Sequence, residues 1–144
     1  MLDRDQWLHY SATMHIITIH PKDIFQALAD ETRLRVIRLM VTTSEESCLC
    51  ELVDSLLEPS YKLSRHLKIL RQAGLLSSQK EGRWVYHGLV MGTSYLEQLF
   101  STVQALPDPD GIYSADLKRF RDRLCLREGG RCRVGIQSEE YKAE

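Results

Sequence analysis

The sequence predicts a mainly α-helical fold with one β-hairpin, in the arrangement of a winged helix-turn-helix. Two helical patterns are separated by a short break at Glu58-Pro59, because proline disfavours helix in the residue before it. The second helix ends at Gly74, since glycine readily adopts the backbone conformation that stops a helix. Two strand-like segments, residues 75–80 and 83–89, then flank Glu81-Gly82, and the second is rich in β-formers.

Apolar spacing and capping residues predict the other helices. Pro21 suits the first turn of a helix, and Asp30 can cap the next one. Ser47 can cap a short helix that runs to about residue 57. Two more helices are predicted over about 94–106 and 113–127, each with one apolar stripe. These stripes could close the core of a single chain. We favour a homodimer interface, since a winged helix already has its own core.

A local excess of positive charge lies in the middle of a chain whose net charge is −1. Residues 59–83 carry six basic side chains and one acidic side chain, which indicates a polyanionic partner. Lysine and arginine neutralise phosphates, arginine also reads guanine, and hydroxyl groups donate to phosphate oxygens. On the outward face of the second helix and at the hairpin, the predicted DNA contacts are Ser60, Tyr61, Lys62, Ser64, Arg65, Lys68, Lys80 and Arg83. We expect His66, on the same helix, to be a structural histidine.

The length of 144 residues suits one domain with a real core. We expect residues 1–20 to be an N-terminal extension, residues 21–127 a winged-helix domain for DNA binding and dimerisation, and residues 128–144 a flexible C-terminal tail. The apolar runs are too short to span a bilayer, and residues 1–20 lack the apolar core of a signal peptide. These features predict a cytoplasmic protein that does not enter the membrane.

Three segments resemble the ArsR/SmtB family of metal-responsive repressors. Residues 24–40 look like the opening signature of that family, residues 63–76 look like its recognition helix, and residues 82–86 look like its wing. The resemblance covers about residues 21–92. It implies a homodimeric repressor that binds an imperfect palindrome in double-stranded operator DNA and leaves it on binding an inducer.

Four cysteines in a reducing compartment favour thiol chemistry or metal binding over a disulfide framework. Cys48-Leu49-Cys50 resembles the arsenic-sensing signature of the family, but Val53 stands where such sensors often have a third cysteine. Members of the family complete such sites with distant cysteines. We therefore predict a site of Cys48, Cys50 and Cys132, with Cys132 supplied by the same chain or by the partner. Cys125 ranks below Cys132, because we expect it to be a buried structural thiol.

Soft thiolates without a nearby histidine favour As(III) or Sb(III) as the inducer, and no organic cofactor is expected. Zinc or cadmium would usually require a fourth ligand. Two alternatives use the same scaffold: a Pb or Cd sensor, and a thiol redox sensor in which Cys48 or Cys50 is oxidised. An enzyme is not expected, because the sequence has no phosphate loop, no zinc-hydrolase pattern and no credible pairing of a nucleophile with a base.

The spacing of the first two cysteines also predicts a mechanism. Residues two apart on an α-helix point about 200° apart, because each residue turns the helix by about 100°. Cys48 and Cys50 therefore cannot easily bind one ion on an intact helix, and binding of both should unwind or bend its first turn. That distortion would then pass through Pro59 to the recognition helix.

Overall fold

The computed structural model describes residues 19–138, and the rest of the predicted N-terminal extension and of the tail lies outside the described residues. This part of the chain contains α1 (Pro21–Leu28), α2 (Glu31–Thr43), β1 (Ser47–Cys48), α3 (Leu49–Leu56), α4 (Ser60–Gln72), β2 (Leu76–Glu81), β3 (Trp84–Leu89), α5 (Ser94–Ala105) and α6 (Ile112–Leu124). Helices α3 and α4 form the helix-turn-helix, and β2 and β3 form the wing. None of the described helices is both long enough and apolar enough to cross a membrane.

The capping residues place several boundaries where the sequence predicts them. The Asp30 carboxylate accepts a hydrogen bond from the Arg33 backbone amide at 3.0 Å, and α2 begins at Glu31, directly after Asp30. Helix α4 ends at Gln72, two residues before Gly74, which has a left-handed φ of 78°. The hairpin turn falls at Gly82-Arg83, one residue later than predicted, because Glu81 and Trp84 are paired across it.

A third strand, β1, is absent from the sequence prediction. It pairs antiparallel with β3, with Ser47 opposite His87 and Cys48 opposite Tyr86, so the sheet order is β1-β3-β2. The prediction that Ser47 caps the next helix is therefore wrong, since Cys48 holds the cap position with an extended backbone. A strand of two residues has no periodic pattern that a sequence could reveal.

The apolar stripes of α5 and α6 pack into the core of the same chain. Leu96, Phe100 and Val103 of α5 are buried there, together with Phe120 of α6. Leu99, Leu117 and Leu124 pack against this core with part of their surface exposed. Part of each stripe thus closes the core of the single chain, whereas the homodimer interface on these helices stays a prediction.

A buried ion pair fixes α6 to the rest of the domain. The Arg35 guanidinium of α2 donates to both oxygens of Asp116, with Nε–Oδ2 at 2.9 Å and Nη2–Oδ1 at 2.8 Å. Arg35 Nη2 also donates to the Leu56 carbonyl at the end of α3, at 2.7 Å. Asp116 is only 1% exposed. Arg35 therefore joins α2, α3 and α6 through one side chain.

The chain after α6 folds back onto the domain. Gly129 and Gly130 have left-handed φ values of 58° and 73°, and they turn the backbone within a β-bridge between Glu128 and Arg131. Cys132 is fully buried after this turn. The prediction of a flexible tail from residue 128 is therefore wrong over residues 128–138. We call residues 131–138 the C-terminal strap.

Replacing Asp116 by alanine should destabilise the fold by about 3–5 kcal/mol, because the buried Arg35 charge loses its bidentate partner and retains the longer ion pair with Glu58 at 3.4 Å. Urea denaturation measures the change in the free energy of unfolding. Lys118→Ala, on the same helix, is the control. Its ion pair with Asp122 is exposed, so its loss should cost less than about 1 kcal/mol. Equal effects from the two variants would contradict the role assigned to Asp116.

Candidate thiolate metal centre and nucleic-acid interface

Three cysteine side chains from separate elements meet in one buried cluster. Cys48 comes from β1, Cys50 from the first turn of α3, and Cys132 from the strap; all three are at most 9% exposed. The Cys50 and Cys132 sulfurs lie 3.6 Å apart. Two thiolates bound to one ion at about 2.3 Å each would lie about 3.4–3.8 Å apart. The Cys50–Cys132 spacing therefore already fits coordination of a shared ion.

Cys48 joins the cluster from outside the helix. Its sulfur, the Cys132 sulfur and a Glu51 carboxylate oxygen all lie within 4.8 Å of one another. Cys48 precedes α3 with φ −79° and ψ 157°, so its side chain does not follow the helical rotation of 100° per residue. The prediction that an ion unwinds or bends the first turn placed both cysteines on the helix, and that placement of Cys48 is wrong.

The strap of the same chain supplies Cys132. The Cys132 backbone amide donates to Tyr86 Oη at 2.8 Å, which fixes the residue against β3. Arg123 Nη2 donates to the carbonyls of Val134 and Gly135 at 2.8 and 2.9 Å, and these bonds hold the next part of the strap.

Asp54 of α3 holds the end of the strap. Its carboxylate accepts hydrogen bonds from the backbone amides of Gln137 and Ser138, the shortest of them at 2.7 Å. It also accepts from Arg123 Nε at 2.6 Å.

Cys125 lies outside the cluster and is exposed, with its sulfur against the Arg121 carbonyl. The expectation that Cys125 is a buried structural thiol is therefore wrong.

The cluster favours one thiolate among the three sulfurs. A hydrogen bond from Cys48, a hydrogen bond from Cys132 and the Arg123 charge together lower the pKa of Cys50 to about 6, against the opposing effect of burial. The pKa of Cys48 is raised by that same hydrogen bond and by burial. Burial and the charge on Cys50 raise the pKa of Cys132. Binding of an ion by all three sulfurs must therefore release protons.

Glu51 lies beside the sulfurs, but its oxygens are already bonded. Its side chain is fully buried, and Arg127 donates to both oxygens, with Nε–Oε2 at 2.7 Å and Nη2–Oε1 at 2.9 Å. The Cys48 backbone amide donates to the same carboxylate at 3.0 Å. A soft ion prefers sulfur to such an oxygen. Glu51 thus caps α3 and positions Cys48.

Sequence reasoning missed the charged groups around the cluster. Arg119, Arg123 and Arg127 recur every four residues and contact the α3 region through Ser55, Asp54 and Glu51 respectively. That spacing is visible in the sequence, and it could have indicated a basic stripe facing an acidic helix.

The predicted DNA contacts lie mainly on accessible surface. Tyr61, Ser64, Arg65 and Lys68 on α4, with Lys80 and Arg83 on the wing, are exposed. Ser60 and Lys62 are half-buried, and the Lys62 ammonium bonds to Glu58 at 3.0 Å. The guanidinium of Arg83 stacks on the Trp84 ring, with 4.6 Å to its centroid.

His66 faces inward from α4. It is 8% exposed, and its Nδ1 atom lies 3.1 Å from Arg33 Nη1. These contacts confirm the prediction of a structural histidine.

The helix-turn-helix and the wing define the winged-helix fold class, with exposed basic residues on both elements. Comparison agrees: the solved structure of HlyU from Vibrio cholerae N16961 has the same fold, with a TM-score of 0.51 and 22% sequence identity, over 71% of this chain and 94% of that one. The family described as bacterial regulatory protein, arsR family, matches residues 30–78. The chain belongs to this family, whose members are transcriptional regulators and not enzymes.

Two relatives show the extent of the sequence similarity. The arsenical resistance operon repressor of Escherichia coli (strain K12) is 44% identical over 69 residues, which is 48% of this chain and 58% of the relative. An uncharacterized HTH-type transcriptional regulator of Methanocaldococcus jannaschii is 37% identical over 68 residues, 47% of this chain and 75% of the relative. The chain thus spans less than two thirds of the arsenical repressor. Cys132 and its supporting arginines lie beyond the residues that the family matches.

The cluster should release one proton near pH 6 in the metal-free protein, because the pKa of Cys50 is about 6. An unfolded cysteine ionises near pH 8.5. Between these two pH values the unfolded chain binds more protons, so the free energy of unfolding should rise with pH. It should fall again at higher pH, since the pKa values of Cys48 and Cys132 are raised on folding.

A pH titration of thiolate ultraviolet absorbance measures the first ionisation, and denaturation at each pH measures the stability. Cys50→Ser should remove the step near pH 6, and Cys125→Ser should retain it. A wild-type titration with every thiol ionising above pH 8 would contradict the predicted electrostatics.

Proposed function

We propose that the protein is a DNA-binding repressor that releases its operator when As(III) or Sb(III) binds the thiolates of Cys48, Cys50 and Cys132. One observation carries the proposal: three buried thiols converge at the start of α3, the first helix of the helix-turn-helix. The name of the E. coli relative, an arsenical resistance operon repressor, supports the same class of signal.

The ligand set favours a trivalent metalloid over a divalent cation. Three sulfurs satisfy trivalent arsenic or antimony, whereas zinc and cadmium usually take a fourth ligand. Charge favours the same choice. Arg123 is paired with Asp54, and Arg127 with Glu51. Three thiolates around a trivalent ion therefore leave the buried site near neutrality, whereas a divalent ion leaves one uncompensated negative charge, which is costly to bury.

Each chain would hold a complete site, because β1, α3 and the strap belong to one chain. We therefore expect one metalloid per chain in the repressor. The residues from 21 to the end of the strap would act as one unit, with the strap as part of the sensor.

We further propose that a homodimer binds double-stranded DNA through α4 and the wing. Lysine and arginine on these elements would neutralise phosphates, and the exposed hydroxyls of Tyr61 and Ser64 would donate to phosphate oxygens. A dimer of this class reads two half-sites about 34–36 Å apart, one turn of the DNA helix.

Binding at the cluster would act on both DNA-contacting elements. The ion would link β1, α3 and the strap. Helix α3 precedes α4 in the helix-turn-helix, and β1 pairs with the wing strand β3. A coupling free energy of about 1–3 kcal/mol would lower DNA affinity by roughly 5–150-fold.

A thiol redox sensor is the second candidate function. The Cys50 and Cys132 sulfurs are 3.6 Å apart and the pKa of Cys50 is lowered to about 6. A thiolate beside a second thiol is the arrangement from which an oxidant forms a disulfide.

Arsenite should release operator DNA from the wild-type repressor under reducing conditions. Cys48→Ser, Cys50→Ser and Cys132→Ser should each abolish most of that release, because two sulfurs cannot complete the site. Fluorescence anisotropy of labelled operator measures the release. Cys125→Ser is the matched control and should respond as the wild type does. Release by oxidant but not by arsenite would favour the redox sensor instead.

Lys68→Ala should weaken DNA binding across all sequences by loss of one phosphate contact. The slope of the logarithm of affinity against the logarithm of salt concentration should fall by about 1 in magnitude. Titrations at several salt concentrations measure this slope. Lys118→Ala, which removes an equal charge from α6, should leave it unchanged, and an equal change in both variants would contradict the proposed interface.

A further inference from the structure

Arg131, the residue before Cys132, contacts three parts of the protein at once. Its Nη1 atom donates to Glu46 Oε1 at 2.7 Å. Its Nε atom donates to Glu81 Oε2 at 2.8 Å, and Nη2 contacts the other oxygen of Glu81. The guanidinium also lies 3.8 Å from the centroid of the Tyr86 ring. One side chain thus bridges the strap, the segment before β1 and the wing.

These partners lie beside the two sites of the proposed function. Glu81 is the last residue of β2 and is paired with Trp84 across the wing turn, where the exposed Lys80 and Arg83 also lie. Glu46 lies two residues before the proposed ligand Cys48. Tyr86 accepts the hydrogen bond from the Cys132 amide. Arg131 therefore connects the residues that hold the thiols with the residues proposed to contact DNA.

We propose that Arg131 is the positioning residue that couples the thiol site to the wing. This inference rests on the proposed function and names the path of its regulation. The conformation with the three thiols together is also the one in which Arg131 holds Glu81. An ion that binds all three sulfurs stabilises this conformation, and so fixes the wing in the orientation with low DNA affinity.

The chemistry of arginine suits this role. A planar guanidinium can bond two carboxylates in fixed directions while its face stacks on an aromatic ring. A movement of the backbone at Cys132 therefore changes the direction of the bonds to Glu81. A lysine would keep the charge, but it has one nitrogen and no planar face, so it would transmit such a movement poorly.

A neighbouring arginine provides a matched control. Within the described residues, Arg133 Nη1 donates to the carbonyl of Cys132 at 3.3 Å. Arg133 follows Cys132 in the sequence, whereas Arg131 precedes it, and Arg133 is exposed. Arg133→Gln therefore removes the same charge from the strap without removing a bond to the wing.

The experiment compares the full-length wild type with Arg131→Gln, Arg131→Lys and Arg133→Gln. Arsenite affinity is measured without DNA, and DNA affinity is measured with and without saturating arsenite. We expect Arg131→Gln to bind one arsenite per chain, while the loss of DNA affinity on arsenite binding shrinks from roughly 5–150-fold to less than about threefold. Arg133→Gln should keep the wild-type ratio, and Arg131→Lys should resemble Arg131→Gln.

The ratio separates coupling from general destabilisation. A purely structural defect would weaken arsenite binding or DNA binding alone, but it would leave the factor by which one ligand weakens the other unchanged. Because coupling is reciprocal, DNA should weaken arsenite binding in the wild type and should have little effect in Arg131→Gln.

Glu81→Gln tests the same link from the wing, and it retains the bond of Arg131 to Glu46. It should also lose most of the coupling. If arsenite releases the Arg131→Gln and Glu81→Gln variants from DNA to the same extent as the wild type, the inference is overturned and the proposed function stays intact. Loss of arsenite binding in both variants would also overturn it, since Arg131 would then only hold Cys132 in position to bind the ion. Failure of arsenite to release the wild-type protein from operator DNA would overturn the proposed function itself.

Discussion

The buried ion pairs between α3 and the end of α6 are the constraint on which the thiol site depends. Arg123 bonds Asp54, and Arg127 bonds Glu51, with each of these side chains at most 8% exposed. Removal of one partner from such a pair typically costs about 3–5 kcal/mol, because the other charge stays buried. Glu51 in turn accepts from the Cys48 amide, and Arg123 holds the strap that carries Cys132. These two pairs therefore position both ends of the cluster.

The same arrangement brings the chain beyond the helix-turn-helix into the thiol cluster. The family match ends at residue 78, whereas the third sulfur and its supports lie after α5. Asp54 joins these parts, because its carboxylate binds both Arg123 and the backbone of the strap. The thiol cluster of this winged helix is thus closed by a segment from outside the helix-turn-helix.

The prediction from sequence was best where local chemistry decides the outcome. Asp30 caps α2 and Gly74 follows the end of α4, because a carboxylate satisfies free amides and glycine accepts a left-handed φ. The interpretation of Cys125 failed, because burial depends on which surface a helix meets. The premise of the unwinding mechanism failed for a related reason: strand pairing with Tyr86 holds Cys48 extended and outside α3.

The sequence by itself determined the winged-helix class, the basic surface on α4 and the wing, and the candidate sulfurs. Each of these follows from residue type and short-range spacing. Only the tertiary structure decided that Cys132 meets Cys48 and Cys50 within one chain, that α5 and α6 close the core of that chain, and that Arg131 joins the strap to the wing. Cys50 and Cys132 are 82 residues apart in sequence. The contact between their sulfurs depends on buried ion pairs and on a glycine turn. These long-range contacts are not encoded by any short sequence pattern.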